Sequence, residues 1–157
     1  MSEYNAANIY VKTYLIFCAK FFFMKGKKTK IDEIELLFRA LADRTRLRLL
    51  NLISEDEVCV CFLVEALNLT QPKISRHLAY LRRAGIVSAR REGKWMHYRV
   101  VVPADAFKAG VLLAVRQWLS SRPETTLDRE RLTKLCCSGS LPGPLKNAPK
   151  PLSFVST

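Results

Sequence analysis

The stretch LTQPKISRHLAYLRRAGIVSARREGKWMHYRV, residues 69–100, holds two periodicities back to back. In its first half Ile74, Leu78 and Leu81 recur at i, i+4 and i+7, the spacing of one helical face. Thr70 suits the N-cap of that helix, Pro72 is tolerated in its first turn, and Gly85 ends it. In the second half, the runs 86–91 and 95–102 are rich in β-branched and aromatic residues. They flank Glu92, Gly93 and Lys94, which is a hairpin signal. A helix followed at once by a short basic hairpin is the frame around which the other elements are placed.

Upstream, Ile34, Leu37, Phe38 and Leu41 mark one amphipathic helix, and after a break at Asp43 the residues Leu47, Leu50 and Ile53 mark a second. Phe62, Leu63, Ala66 and Leu67 build a third, joined to the fourth by a tight turn at Asn68 and Leu69. Downstream, Phe107, Leu112, Val115, Trp118 and Leu119 describe a fifth helix over 104–119, with a weaker helical stretch over 123–135. The predicted fold is mostly α with a β-hairpin wing, a winged helix-turn-helix. A chain of 157 residues fits one such domain. Residues 1–30 form an N-terminal appendage, for which a start at Met24 is the alternative. Residues 31–120 form the DNA-binding and dimerisation domain. Residues 121–157 form a C-terminal helical extension with adjacent cysteines and a flexible tail from Pro142 onward.

The formal charge of +12 points to a polyanionic partner, nucleic acid or an anionic membrane surface. Residues 9–24 are aromatic-rich but interrupted by Lys12 and Lys20, too short and too charged for a spanning helix or a secretory signal. The expectation is therefore a cytoplasmic protein with no membrane partner, its five cysteines held as thiols. A surface-binding module built on Phe21, Phe22 and Phe23 is the rival. An enzyme is not expected, because no phosphate loop, Cys-x-x-Cys or credible carboxylate pair is present. The charge is lopsided: residues 31–70 hold four basic and eight acidic side chains, whereas 71–99 hold eight basic and only Glu92. In a helix-turn-helix the N-terminal half of the second helix enters the major groove. Gln71, Lys73, Ser75 and Arg76 occupy that half with side chains suited to bases and phosphates. His77 lies beside them, with helix packing as its competing role. The hairpin adds Arg90, Arg91 and Lys94, next to Trp95, Tyr98 and Arg99, for backbone contacts to double-stranded operator DNA.

The segments LFRALADRTRLRLLNLI (37–53), EVCVCFLVEAL (57–67) and 69–100 together resemble the ArsR/SmtB family of metal-sensing winged-helix repressors over about residues 34–102. The resemblance implies a homodimer joined largely through its first and last helices. It also implies a recognition helix carrying Ser75 to Leu78, and release of DNA when an inducer binds. The family's arsenic and heavy-metal sensors carry a Cys-Val-Cys where Cys59, Val60 and Cys61 stand here. Soft thiolates suit arsenite, antimonite, methylarsenite, cadmium or lead, and the expected function is a repressor relieved by trivalent arsenic. Cadmium or lead sensing and a thiol redox or persulfide switch are the alternatives. In the arsenite-responsive pattern a third cysteine follows three residues on, and this chain has Val64 there. Cys18, or the pair Cys136 and Cys137, could supply more sulfur. No permanently bound cofactor is expected. The family's other zinc site needs histidines on the C-terminal helix, where this chain offers only Asp105. Because helical residues two apart do not face each other, Cys59 and Cys61 are expected to chelate one ion only if the first turn of the third helix distorts.

Overall fold

The computed structural model describes residues 29–53, 56–138 and 141–151. The chain divides between Asp32 and Glu33 into two units, and apart from the start of the first helix all that follows concerns the second. Helices α1 (Lys30–Leu41) and α2 (Arg44–Leu52) meet at the expected break. Asp43 is extended and its carboxylate accepts from the Arg46 backbone N–H at 2.9 Å, capping α2. Arg46 itself is buried. Its guanidinium donates to the Ala40 and Arg39 carbonyls at 2.6 and 2.7 Å. A cation there satisfies the open carbonyl end of α1 and complements its dipole. The sharp α1–α2 corner is thus built by two residues, one for each helix end.

The helix-turn-helix follows as α3 (Val60–Leu67) and α4 (Gln71–Arg83). Asn68 adopts the left-handed conformation, φ 51 and ψ 50, and ends α3 by donating its N–H to the Glu65 carbonyl. Asparagine tolerates that region better than other residues with a side chain. Ile74, Leu78 and Leu81 are fully buried, each contributing about 2 kcal/mol of apolar burial to anchor α4. Thr70 takes the N-cap position with no side-chain capping bond, so backbone conformation and Pro72 start this helix without help from the hydroxyl.

After Gly85 (φ +74) come β2 (Val87–Glu92) and β3 (Trp95–Val100), turned at Gly93 (φ +56). The unexpected element is β1 (Val58–Cys59), which pairs antiparallel with β3 in the order β1-β3-β2, Val58 opposite Tyr98 and Cys59 opposite His97. The wing is therefore three-stranded, and its third strand is the segment that carries the first cysteine.

Helix α5 (Ala106–Ser120) is capped by Asp105, which accepts from the Lys108 N–H at 3.0 Å. Helix α6 (Pro123–Cys137) packs on α2 and α3. Arg48 donates twice to Asp128 at 2.6 Å, Asn51 donates to the Thr125 carbonyl at 2.9 Å, and Arg129 donates to the Asn51 carbonyl at 2.7 Å. Leu132 and Cys136 enter the common core. As far as residue 151 the stretch beyond Pro142 makes contacts that composition did not suggest. A 3-10 turn, Gly143–Leu145, packs against α3 with Leu145 fully buried and Ala148 behind it. Prolines prevented a helix there without preventing apolar contact. Among the described residues no helix is long and apolar enough to cross a membrane.

Candidate nucleic-acid interface and thiol site

With its apolar face buried, α4 turns Gln71, Lys73 and Arg76 to solvent, and Ser75 is half-buried beside them. His77 departs from the expected DNA-facing set. Its side chain is 16% exposed and its Nδ1 lies 3.3 Å from an Asp43 carboxylate oxygen. The rotation of the helix carries position 77 toward α2, so this histidine serves the α2–α4 contact. Tyr80 reinforces the same contact, with the Arg46 guanidinium 5.0 Å from its ring.

On the wing Arg91 and Lys94 are exposed, Lys94 lying 4.8 Å over the Trp95 ring. Arg90 differs from the expectation of a free phosphate contact. Its guanidinium grips both oxygens of Glu57, at 2.8 and 3.0 Å from Nε, and reaches Glu92 at 2.8 Å. Arg90 holds the Glu57 carboxyl below its usual range, and the two glutamates push the Arg90 guanidinium up. With two carboxylates on it, Arg90 has little positive field left for DNA. Glu57 precedes β1, so this clamp ties the wing to the strand that bears Cys59. Sequence patterning gave no sign of it, since Glu57 and Arg90 each look like ordinary solvated charges.

The thiol site corrects the helical argument. Cys59 is not in α3: it is the last residue of β1 and the extended N-cap, φ −65 and ψ 139. Helical periodicity therefore does not hold the two thiols apart, and the Cys61 thiol lies near enough to bear on the Cys59 proton. Cys59 is fully buried and Cys61 half-buried. Burial pushes the Cys59 thiol up to about 12 and the neighbouring Cys61 sulfur adds to this, while the Cys61 backbone N–H pulls the other way. A pair that can face one ion therefore exists without distorting the helix. Opposite Cys59 on β3, His97 is buried, its Nε2 lacking a hydrogen-bond partner among the described residues and 3.9 Å from Glu92.

Cys136 is buried and pushed up to about 11, chiefly by desolvation, whereas Cys137 is exposed. Adjacent helical positions point apart, in keeping with one thiol in the core and the other in solvent. Among the described residues no three His, Cys, Asp or Glu side chains converge to hold a metal ion. Cys18 lies outside the described residues.

Residues 43–89 match the family described as "Bacterial regulatory protein, arsR family". The arsenic resistance transcriptional regulator ArsR1 of Pseudomonas putida KT2440 is 50% identical over 103 residues, covering 62% of this chain and 80% of that protein. The arsenical resistance operon repressor of Escherichia coli K12 is 42% identical over 104 residues, covering 66% of this chain and 87% of that one.

Proposed function

Because the chain belongs to the arsR family of bacterial regulatory proteins, a family of DNA-binding transcriptional regulators and not of enzymes, we propose that it is a cytoplasmic repressor that leaves its operator when Cys59 and Cys61 bind a trivalent arsenical. The observation that carries this reading is the placing of Cys59 and Cys61 at the junction of β1 and α3, one as the extended N-cap and one in the first helical turn. From that junction one path leads through β3 to the wing and another through α3 to α4.

The donor count supports a ligand with two exchangeable oxygens. Methylarsenite condenses with two thiols: two As–O bonds break, two As–S bonds form, and the hydroxides leave as water with the thiol protons. Arsenite or antimonite held by the same pair keeps one oxygen. A proton held as firmly as that on Cys59 weighs against Cd²⁺ or Pb²⁺, which must displace it. It weighs against peroxide too, which reacts with thiolates. Cys136 and Cys137 are a secondary thiol site.

Ligation draws Cys59 and Cys61 onto one atom. Cys59 is paired with β3, and Glu57 is clamped to Arg90. Displacement of β1 therefore reaches the wing directly, and displacement of α3 reaches the recognition helix. DNA affinity falls by linkage, inducer and operator each favouring a different arrangement. The DNA-bound form is a homodimer, for which α5 offers an outward apolar face: Phe107, Val111, Ala114 and Trp118 lie at i, i+4, i+7 and i+11. Phe107 and Trp118 are 57% and 56% exposed.

The test is fluorescence anisotropy on the protein's own promoter fragment at fixed salt. Wild type and Cys59→Ser/Cys61→Ser are titrated with methylarsenite, arsenite, Cd²⁺, Pb²⁺, Zn²⁺ and peroxide. Release by the trivalent arsenicals, lost in the double variant, is expected, with changed amide exchange over 58–62 and on β3. Release by peroxide alone would identify a redox switch instead.

A further inference from the structure

The DNA-facing surface does not end where the recognition half of α4 ends. Arg76, Ala79 and Arg83 lie at i, i+3 and i+7, so the exposed face runs on to the last turn of the helix. There a cleft of about 510 Å³ opens between α4 and β2, lined by Ala79, Arg82, Arg83, Val87, Ser88 and Ala89. The small side chain of Ala79 leaves the space. Arg82 and Arg83 are exposed and have no ion pair among the described residues. Across the cleft the Ser88 hydroxyl accepts from Arg99 Nε at 3.3 Å, and Arg99 stands opposite Ser88 in the sheet. No carboxylate lines the cleft.

The geometry points to a seat for a DNA backbone phosphate in this cleft, held by Arg82, Arg83 and the Ser88–Arg99 pair. Two guanidiniums and a hydroxyl line the open space, with the Arg99 guanidinium hydrogen-bonded to that hydroxyl from the neighbouring strand; this set suits a tetrahedral oxyanion, and arginine binds phosphate with two parallel donors. Duplex DNA is the occupant that the continuous face with Arg76 selects, because the same ligand must span both. At the base of the wing Arg99 adds to the backbone contacts that Arg91 and Lys94 offer, whereas Arg90 is spent on Glu57 and Glu92. Such a contact fixes the register of the protein on DNA without reading sequence. This inference rests on DNA binding but not on the arsenical reading, and it is tested without inducer.

Affinity for the operator fragment and for an unrelated duplex of equal length is measured by anisotropy across salt concentrations. The proteins are wild type, Arg82→Gln, Arg83→Gln, Arg82→Lys and, as a charge control on α6, Lys134→Gln. Each phosphate contact contributes about 0.9 to the slope of log K against log salt. The two glutamine variants are expected to lose about that much per bound subunit, with equal weakening on both duplexes, while Arg82→Lys and Lys134→Gln keep the wild-type slope. Unchanged slopes in both glutamine variants, a loss confined to the operator, or a lysine variant as shallow as the glutamine would each overturn the assignment. Wild type that binds neither duplex would instead remove the DNA-binding reading itself.

Discussion

At the scale of single residues, what separates arsenic from a divalent cation here is where the Cys59 proton goes. The thiol holds it to about 12 against an ordinary 9.0, because it is fully buried and has another sulfur beside it. A Cd²⁺ ion must expel that proton to solvent, so its apparent affinity climbs about tenfold per pH unit for this thiol alone. Methylarsenite takes the proton away as water, and its binding is indifferent to pH. Binding titrations at pH 6 and pH 8 should show Cd²⁺ tightening by at least about 100-fold, with methylarsenite nearly unchanged; a parallel rise for both would overturn the proton-neutral condensation. The same shift sets an alkaline limit on the fold. The raised folded-state value means that the stabilisation is fully present below pH 9.0 and is lost as pH rises toward about 12, with Cys136 adding to the loss from its own value of about 11.

At the scale of elements, α6 is held by a charge pair whose two ends are unequally buried. The Asp128 side chain is 2% exposed and that of Arg48 24%. Arg48→Met strands a buried carboxylate and is expected to cost about 3 kcal/mol, whereas Asp128→Asn leaves an arginine that can reach water and costs about 1 kcal/mol. Urea midpoints give the order directly, and equal losses would show that Asp128 finds other partners, of which Arg131 at 3.8 Å is the nearest. The helices and the hairpin were legible in the sequence because an apolar repeat is a local property: Ile74, Leu78 and Leu81 announce their face whatever packs on it. Strand β1 was not legible, being two residues long and defined only by Tyr98 and His97 far along the chain. From that single omission came the mistaken view that Cys59 and Cys61 point apart. The partners of Arg90 were not legible for a similar reason, since a charge shows its sign in sequence but not its partner. The residues after Pro142 were judged by composition, which reports that no helix forms but cannot report that Leu145 is buried. The outward face of Gln71, Lys73 and Arg76 needed only spacing, whereas the Cys-Val-Cys was read through the family resemblance.

At the scale of the whole molecule, α5 buries one apolar face and leaves other large apolar side chains exposed among the described residues. Leu112 and Leu119 are buried inward, while Phe107, Leu113 and Trp118 remain more than half exposed. Apolar exposure of this kind on a helix is resolved by association, and a two-fold partner would present the same stripe to itself. Such pairing also sets how DNA is read, because two recognition helices related by a dyad address half-sites about one helical turn apart. Ala114 lies in the middle of the stripe and is exposed in the single chain, so Ala114→Glu disturbs association without touching the folded core. Sedimentation velocity should find wild type as a dimer and Ala114→Glu as a monomer that still unfolds cooperatively, at a lower midpoint because it has lost the stabilisation that association gives. On DNA the variant should bind a full operator no better than a single half-site, since the gain from two linked half-sites comes from joining them in one molecule. A variant that stays dimeric would move the interface off this face of α5; one that is monomeric yet binds the full operator with wild-type affinity would break the link between the dyad and operator recognition.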